Sequence, residues 1–401
     1  MTHHLWVLMT ATLLLGMVRT VVAGPAKPPT SGRYWVYIGT FTSQDGSKGI
    51  YRCELDVQSG KLTEPILAAE MADPTFLAIS PNGKCLYAVG STADAGPNGN
   101  EGTIHAFKID ANTGELAKLN LLTTGGGGPC HLSVNHDGRF AIVANYGGGS
   151  SALFRLKPDG SLDKLTDIRQ HEGKSVHKER QAGPHAHCAL FTKNGAEYAY
   201  VVDLGLDKVF SYKLDDTNGV LMPTQPAFVK LPDGCGPRHI AFHPNLGQAY
   251  VCGELDSTVI TLRRDGDSGL LKMFDGANGL KKRKDAVLST APNHERNSTA
   301  EILVHPDNGH VIVSNRGHDS LAIFKITATE TTAIGHFMSA GDSEIRTPRN
   351  FNIDPTGQWI LIANQDGGTV QVAKWSNGAA KLIGSKASIA KPVCITFLAK
   401  P

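Results

Sequence analysis

The chain has little net charge, no paired-cysteine motif and no membrane-length apolar run. Lysine and arginine number 39 against 37 aspartates and glutamates, a formal charge of +2 with both signs mixed along the chain. That balance argues against a nucleic-acid or membrane-surface partner, which would need a basic patch. Seven cysteines are scattered at Cys53, Cys85, Cys130, Cys188, Cys235, Cys252 and Cys394, and no CxxC occurs, which argues against a zinc ribbon or thioredoxin-like site. Their odd number leaves at least one unpaired in a monomer, and their positions in or beside apolar strands read as small buried hydrophobes. The combined Gly-His and Trp-Asp pattern of WD repeats is also absent, since no Trp-Asp pair occurs, so a WD-type interaction platform is not supported.

The longest apolar stretch, Leu5 to Val18, is too short for a comfortable membrane span. With Val21 and Ala23 before Gly24 it resembles a secretory leader with its cleavage site, although the n-region has no Lys or Arg. The expectation is a signal peptide over 1–23, a linker over 24–33 and one domain over 34–401. The mature protein would then be periplasmic or secreted, with no membrane insertion after signal removal. The alternatives are an N-terminal anchor, or a wrongly chosen start and a cytoplasmic protein.

What the chain does contain is repetition. Six segments share one pattern of apolar strand, Pro/Asn/Asp-Gly turn and second apolar strand: Leu77–Val89, Leu132–Ala144, Leu190–Val202, Ile240–Val251, Ile302–Ser314 and Phe351–Ala363. Each reads as a hairpin, with its turn at Gly83, Gly138, Gly195, Gly247, Gly309 or Gly357. Hairpins recurring roughly every 50 residues indicate a β-propeller. The two ends complete the count. Tyr34–Gly39 resembles a second strand without a first, and Pro392–Leu398 a first strand without a second. Pairing them gives a seventh blade and removes free sheet edges. The predicted fold class is therefore all-β, a seven-bladed propeller closed by the N- and C-terminal strands.

Residues just before a first strand and just after a second lie at the same end of an antiparallel hairpin. In a propeller that end faces one mouth of the central channel. There the sequence places His131, His185, His187, Arg238, His239, Glu254, Glu301, Asn315, Arg316, Arg349 and Asn364, while the other mouth receives plain turns. Any one of these has a structural reading as well: Asn after a strand often caps a loop. His185 and His187, two apart, share a face of an extended chain. Several arginines at one mouth, with Glu254 neutralising one, suit a small anionic ligand.

At these residues the sequence resembles the seven-bladed propeller lactonases, which include a bacterial type of 6-phosphogluconolactonase and are related to carboxy-muconate lactonizing enzymes. The resemblance runs from Tyr34 to Leu398 and rests on Tyr37–Thr40 with Gly49–Tyr51, Pro184–His187, Gly236–His239, Gly253–Glu254, Ser314–Ser320, Pro348–Arg349 and Asn364–Gln365. It implies a site of His187 (or His185), Arg238, Glu254 and Arg316. The expected activity is hydrolysis of a small anionic sugar lactone, 6-phospho-D-glucono-1,5-lactone or, for an exported variant, a related aldonolactone. Glu254 or His187 would be the base, and Arg316 or Arg238 would face the oxyanion or the substrate's anionic group. His131, His239, Glu301, Asn315, Arg349 and Asn364 are the expected substrate-binding set. No metal or other cofactor is expected, and the oligomeric state stays open. The alternatives are a muconate-type cycloisomerase and a non-catalytic ligand-binding propeller.

Overall fold

The computed structural model describes residues 32–42, 46–91, 101–194, 196–274, 286–288, 296–338 and 345–401. The expected leader, the turn glycine Gly195 and most of the linker lie outside them. The described residues form seven antiparallel sheets and no helix, and so none long and apolar enough to cross a membrane.

Each sheet is a blade of four strands in sequence order, the first lining the channel. The fifth blade, for example, runs Pro237–Phe242, Gln248–Gly253, Thr258–Arg264 and Leu271–Met273, with Ala286–Leu288 added on the third strand. The exception to sequence order is the predicted one. Pro392–Ala399 is the inner strand of the closing blade and pairs antiparallel with Arg33–Thr40, placing Ile38 opposite Ile395 and Val36 opposite Phe397. The closing strand is also gripped from both neighbours. Asn350 Oδ1 accepts from Ile395 N at 2.9 Å, Asn352 Nδ2 donates to Ile395 O at 2.8 Å, and Leu77 N donates to Cys394 Sγ at 3.3 Å.

Alternation along each strand builds the core. In Arg33–Thr40, Tyr34, Val36 and Ile38 pack on the seventh blade, while Trp35 and Tyr37 pack on the second. Seven apolar clusters result, one in each gap between adjacent blades. Second-strand tyrosines fasten neighbouring blades: the hydroxyls of Tyr37, Tyr87 and Tyr200 donate to the carbonyls of Gly114, Gly160 and Gly269 at 2.8, 2.8 and 2.7 Å.

The hairpin turns owe their shape to the residue before the Pro or its equivalent. Asp354 Oδ1 accepts from Gln358 N and Trp359 N, and Asn135 Oδ1 accepts from Arg139 N and Phe140 N, a side chain standing in for backbone partners. In the sixth blade the left-handed residue is Asn308 (φ 58°), one position before the expected Gly309. Asparagine tolerates that conformation, so the turn closes a residue early.

Candidate active site

The inner strands of blades three to seven each carry an irregularity in their first residues, where the register slips against the second strand. The slips fall between Pro129 and His131, Ala186 and Cys188, Pro237 and Ile240, Thr299 and Ile302, and Pro348 and Asn350. Such bulges re-aim side chains. The residues inside them include Cys130, His187, Arg238, His239, Glu301 and Arg349, and all six line one cavity of about 830 Å³ at the channel mouth.

Glu254 follows the second strand of the fifth blade and sits at the centre of the charge cluster. Its Oε1 accepts from Arg180 Nη2 at 2.5 Å and its Oε2 from Arg316 Nη2 at 3.0 Å. Arg238 Nε lies 3.1 Å from Oε2, close enough for an ion pair but without hydrogen-bond alignment. Burial alone would push this carboxyl up. The charges of Arg316, Arg238 and Arg180 outweigh burial and hold it at about 2. Arg316, the last residue of the strand His310–Arg316, also donates to Ser298 Oγ at 2.6 Å and Thr299 O at 2.9 Å.

Arg349 has no carboxylate partner among the described residues; its contacts are Gln365 Oε1 at 3.4 Å and the Phe41 ring at 5.2 Å. Burial, then the charges of Arg238 and Arg316, push its guanidinium down to about 9. Burial and Arg238 lower Arg316 to about 10. Positive charge is thus crowded here beyond what Glu254 offsets.

The histidines beside this cluster are neutral. Burial, reinforced by the charge of Arg238, holds His187 and His239 well below the usual imidazole value. Their rings meet edge to face at 5.4 Å, and Tyr146 lies 5.3 Å from His187 on the other side. A neutral imidazole among guanidiniums can accept a proton while neighbouring cations stabilise developing negative charge.

The structure brings His187, Arg238, His239, Glu254, Glu301, Arg316 and Arg349 to this cavity and leaves four expected residues off it. His131 is one residue past its bulge, so its ring turns inward and Nδ1 meets Ala189 O at 3.0 Å. His185 precedes its strand and stacks on Tyr146 at 4.6 Å, with Nδ1 on the Tyr146 carbonyl at 3.0 Å. Asn315 and Asn364 are fully buried loop caps, donating to Ser320 Oγ and Thr369 Oγ1. Tyr146 and Arg180 also line the wall and were not singled out from the sequence. Tyr146 directly follows the second strand of the third blade, Phe140–Asn145. Arg180 lies in the segment 171–185 between the third and fourth blades, where no repeat marks it. Among the described residues no three His, Cys, Asp or Glu side chains converge to hold a metal ion.

Comparison with known proteins agrees with this architecture. A family model described as lactonase, 7-bladed β-propeller, matches residues 35–397. A 6-phosphogluconolactonase of Bacillus subtilis is 36% identical over 370 residues, covering 91% of this chain and 99% of that protein. Another from Formosa agariphila is 31% identical, covering 82% of this chain and 89% of its own. The solved structure of a periplasmic gluconolactonase from Pseudomonas aeruginosa superposes with a TM-score of 0.81 at 27% identity, over 92% of this chain and all of that one.

Proposed function

The chain belongs to the seven-bladed β-propeller lactonase family and is accordingly a lactone-hydrolysing enzyme; from that premise we propose that it opens a sugar lactone bearing an anionic group, as 6-phospho-D-glucono-1,5-lactone does. The observation that carries the reading is Arg349, a cavity-lining guanidinium without a carboxylate, beside the Arg238–Glu254–Arg316 cluster and a neutral His187. Water attacks the ring carbonyl carbon and His187 takes its proton. The carbonyl oxygen becomes an oxyanion facing Arg238 or Arg316. Collapse of the adduct breaks the bond from the carbonyl carbon to the ring oxygen, which receives the proton from His187 and leaves as a hydroxyl. Glu254, already held by three arginines and ionised down to about pH 2, orients them and is a poor base. Arg349 takes the substrate's fixed negative charge.

The leader-like residues 1–23 and the likeness to a periplasmic gluconolactonase favour a second reading, in which an exported enzyme takes an unphosphorylated aldonolactone. Acid release from both lactones decides between them. On the first reading His187→Ala lowers kcat at least about 100-fold, and Arg349→Ala raises KM about tenfold for the phosphorylated lactone only. Turnover of the free lactone alone, with KM indifferent to Arg349, selects the second. Background rates with both would end the lactonase assignment.

A further inference from the structure

Beneath the arginines runs a chain of polar contacts across four blades, and its atoms admit one arrangement of protons. Arg238 Nη1 donates to Ala300 O at 2.6 Å and stands 3.3 Å from His239 Nε2. A guanidinium has no lone pair to offer, so Nε2 must accept and the ring hydrogen sits on Nδ1. That hydrogen is donated to Glu301 Oε1 at 2.8 Å. Glu301 Oε1 also accepts from Ile302 N at 3.1 Å, and Oε2 accepts from Asn350 Nδ2 at 2.6 Å. Asn350 cannot reverse its amide, because Oδ1 accepts from Ile395 N on the closing strand. Both hydrogens of Arg238 Nη1 are thereby assigned, Nε faces Glu254, and Nη2 is left as the edge without an acceptor among the described residues. Arg238, His239, Glu301 and Asn350 are all at least nine-tenths buried.

We propose that Glu301 and Asn350 are positioning residues for Arg238, acting through His239. Asn350 and Ile302 N keep Glu301 a hydrogen-bond acceptor; Glu301 fixes the Nδ1–H tautomer of His239; and that tautomer locks Nη1 so that Nη2 meets the substrate. Protonating His239 turns Nε2 into a donor facing a donor, which releases Arg238, so the network sets an acid limit on turnover. The groups facing His239 are Arg238 and Glu301, the rings of His131 at 5.1 Å, His187 at 5.4 Å and Phe76 at 6.0 Å, and the charges of Arg349, Glu254 and Arg316. Catalytic consequences rest on the lactonase reading above; the tautomer does not.

Two substitutions move the acid limb in opposite directions. Glu301→Gln removes the negative charge that favours imidazolium, so the limb shifts to lower pH, while the misaimed Arg238 lowers plateau kcat about tenfold or more with little change in KM. Asn350→Asp adds a second carboxylate behind Glu301; its negative charge favours imidazolium at His239, and the limb shifts to higher pH. Nitrogen-15 NMR of the imidazoles in the resting wild-type protein reads the tautomer directly and should show His239 as Nδ1–H. An Nε2–H tautomer would overturn the proposal, as would unchanged pH profiles, or losses that track only a lower Tm. If wild type hydrolyses no lactone, the functional reading falls, and the NMR signal still judges the arrangement.

Discussion

Glu254 has three guanidiniums within ion-pairing distance and is 5% exposed, so its ionisation is tied to folding. Its folded pKa is depressed from 4.5 to about 2. The stabilisation is therefore complete above the ordinary carboxylate value and is lost as pH falls through about 2. The shift corresponds to about 3 kcal/mol. Urea unfolding at a series of acidic pH values should show this loss, and Glu254→Gln should flatten that dependence while costing about 3–5 kcal/mol at neutral pH. An unchanged acid slope in the variant would remove Glu254 from the account. Much of the cluster was legible residue by residue, because His, Arg and Glu at strand ends are chemically conspicuous. His131 lies one position past a bulge and lines the channel with Phe76, His239 and Glu301 outside the arginine cavity; sequence alternation does not show where such a bulge falls. Asn315 and Asn364 carried both readings, and their geometry is that of loop caps.

Among the elements, the segment 171–185 most needs explaining, since it is no strand yet delivers Arg180. It is pinned at both ends by Asp203, whose Oδ1 accepts from His185 N at 2.8 Å. His171 Nδ1 meets Asp203 Oδ2 at 2.7 Å, and the fully buried Asp207 accepts from Ser175 Oγ at 2.5 Å and Gln181 Nε2 at 2.8 Å. Asp207 also accepts from Gly234 N and Gly236 N, each at 2.8 Å, in the loop that leads to Arg238. One carboxylate thus holds both the loop that bears Arg180 and the loop that leads into the strand of Arg238. Asp207→Asn turns part of that acceptor into a donor and should cost about 1–3 kcal/mol in urea unfolding, with reduced turnover. Full stability and activity in this variant would show the loops to be held otherwise. The hairpins were readable because alternation and turn residues repeat; this segment repeats nothing, so no pattern announced it.

For the whole molecule, closure is the cooperative step. Removing residues 392–401 strips the inner strand from the closing blade, bares the edge of Arg33–Thr40 and opens the packing against both neighbouring blades. The truncated chain should lose its cooperative melting transition and aggregate, seen by calorimetry and gel filtration. A monomer melting like wild type would mean that the other six blades suffice. This closure was legible because the two orphan strands are complementary halves of the same repeat.

The seven thiols bear on how this protein can be made. None is joined to another: six are buried and Cys130 is partly so. The circle is fastened by hydrogen bonds, ion pairs and apolar packing, with no cross-link among these thiols. Maturation therefore needs neither an oxidant nor a disulfide-shuffling catalyst, and one polypeptide can reach its working form on either side of a lipid barrier, with reductants such as glutathione indifferent to the outcome.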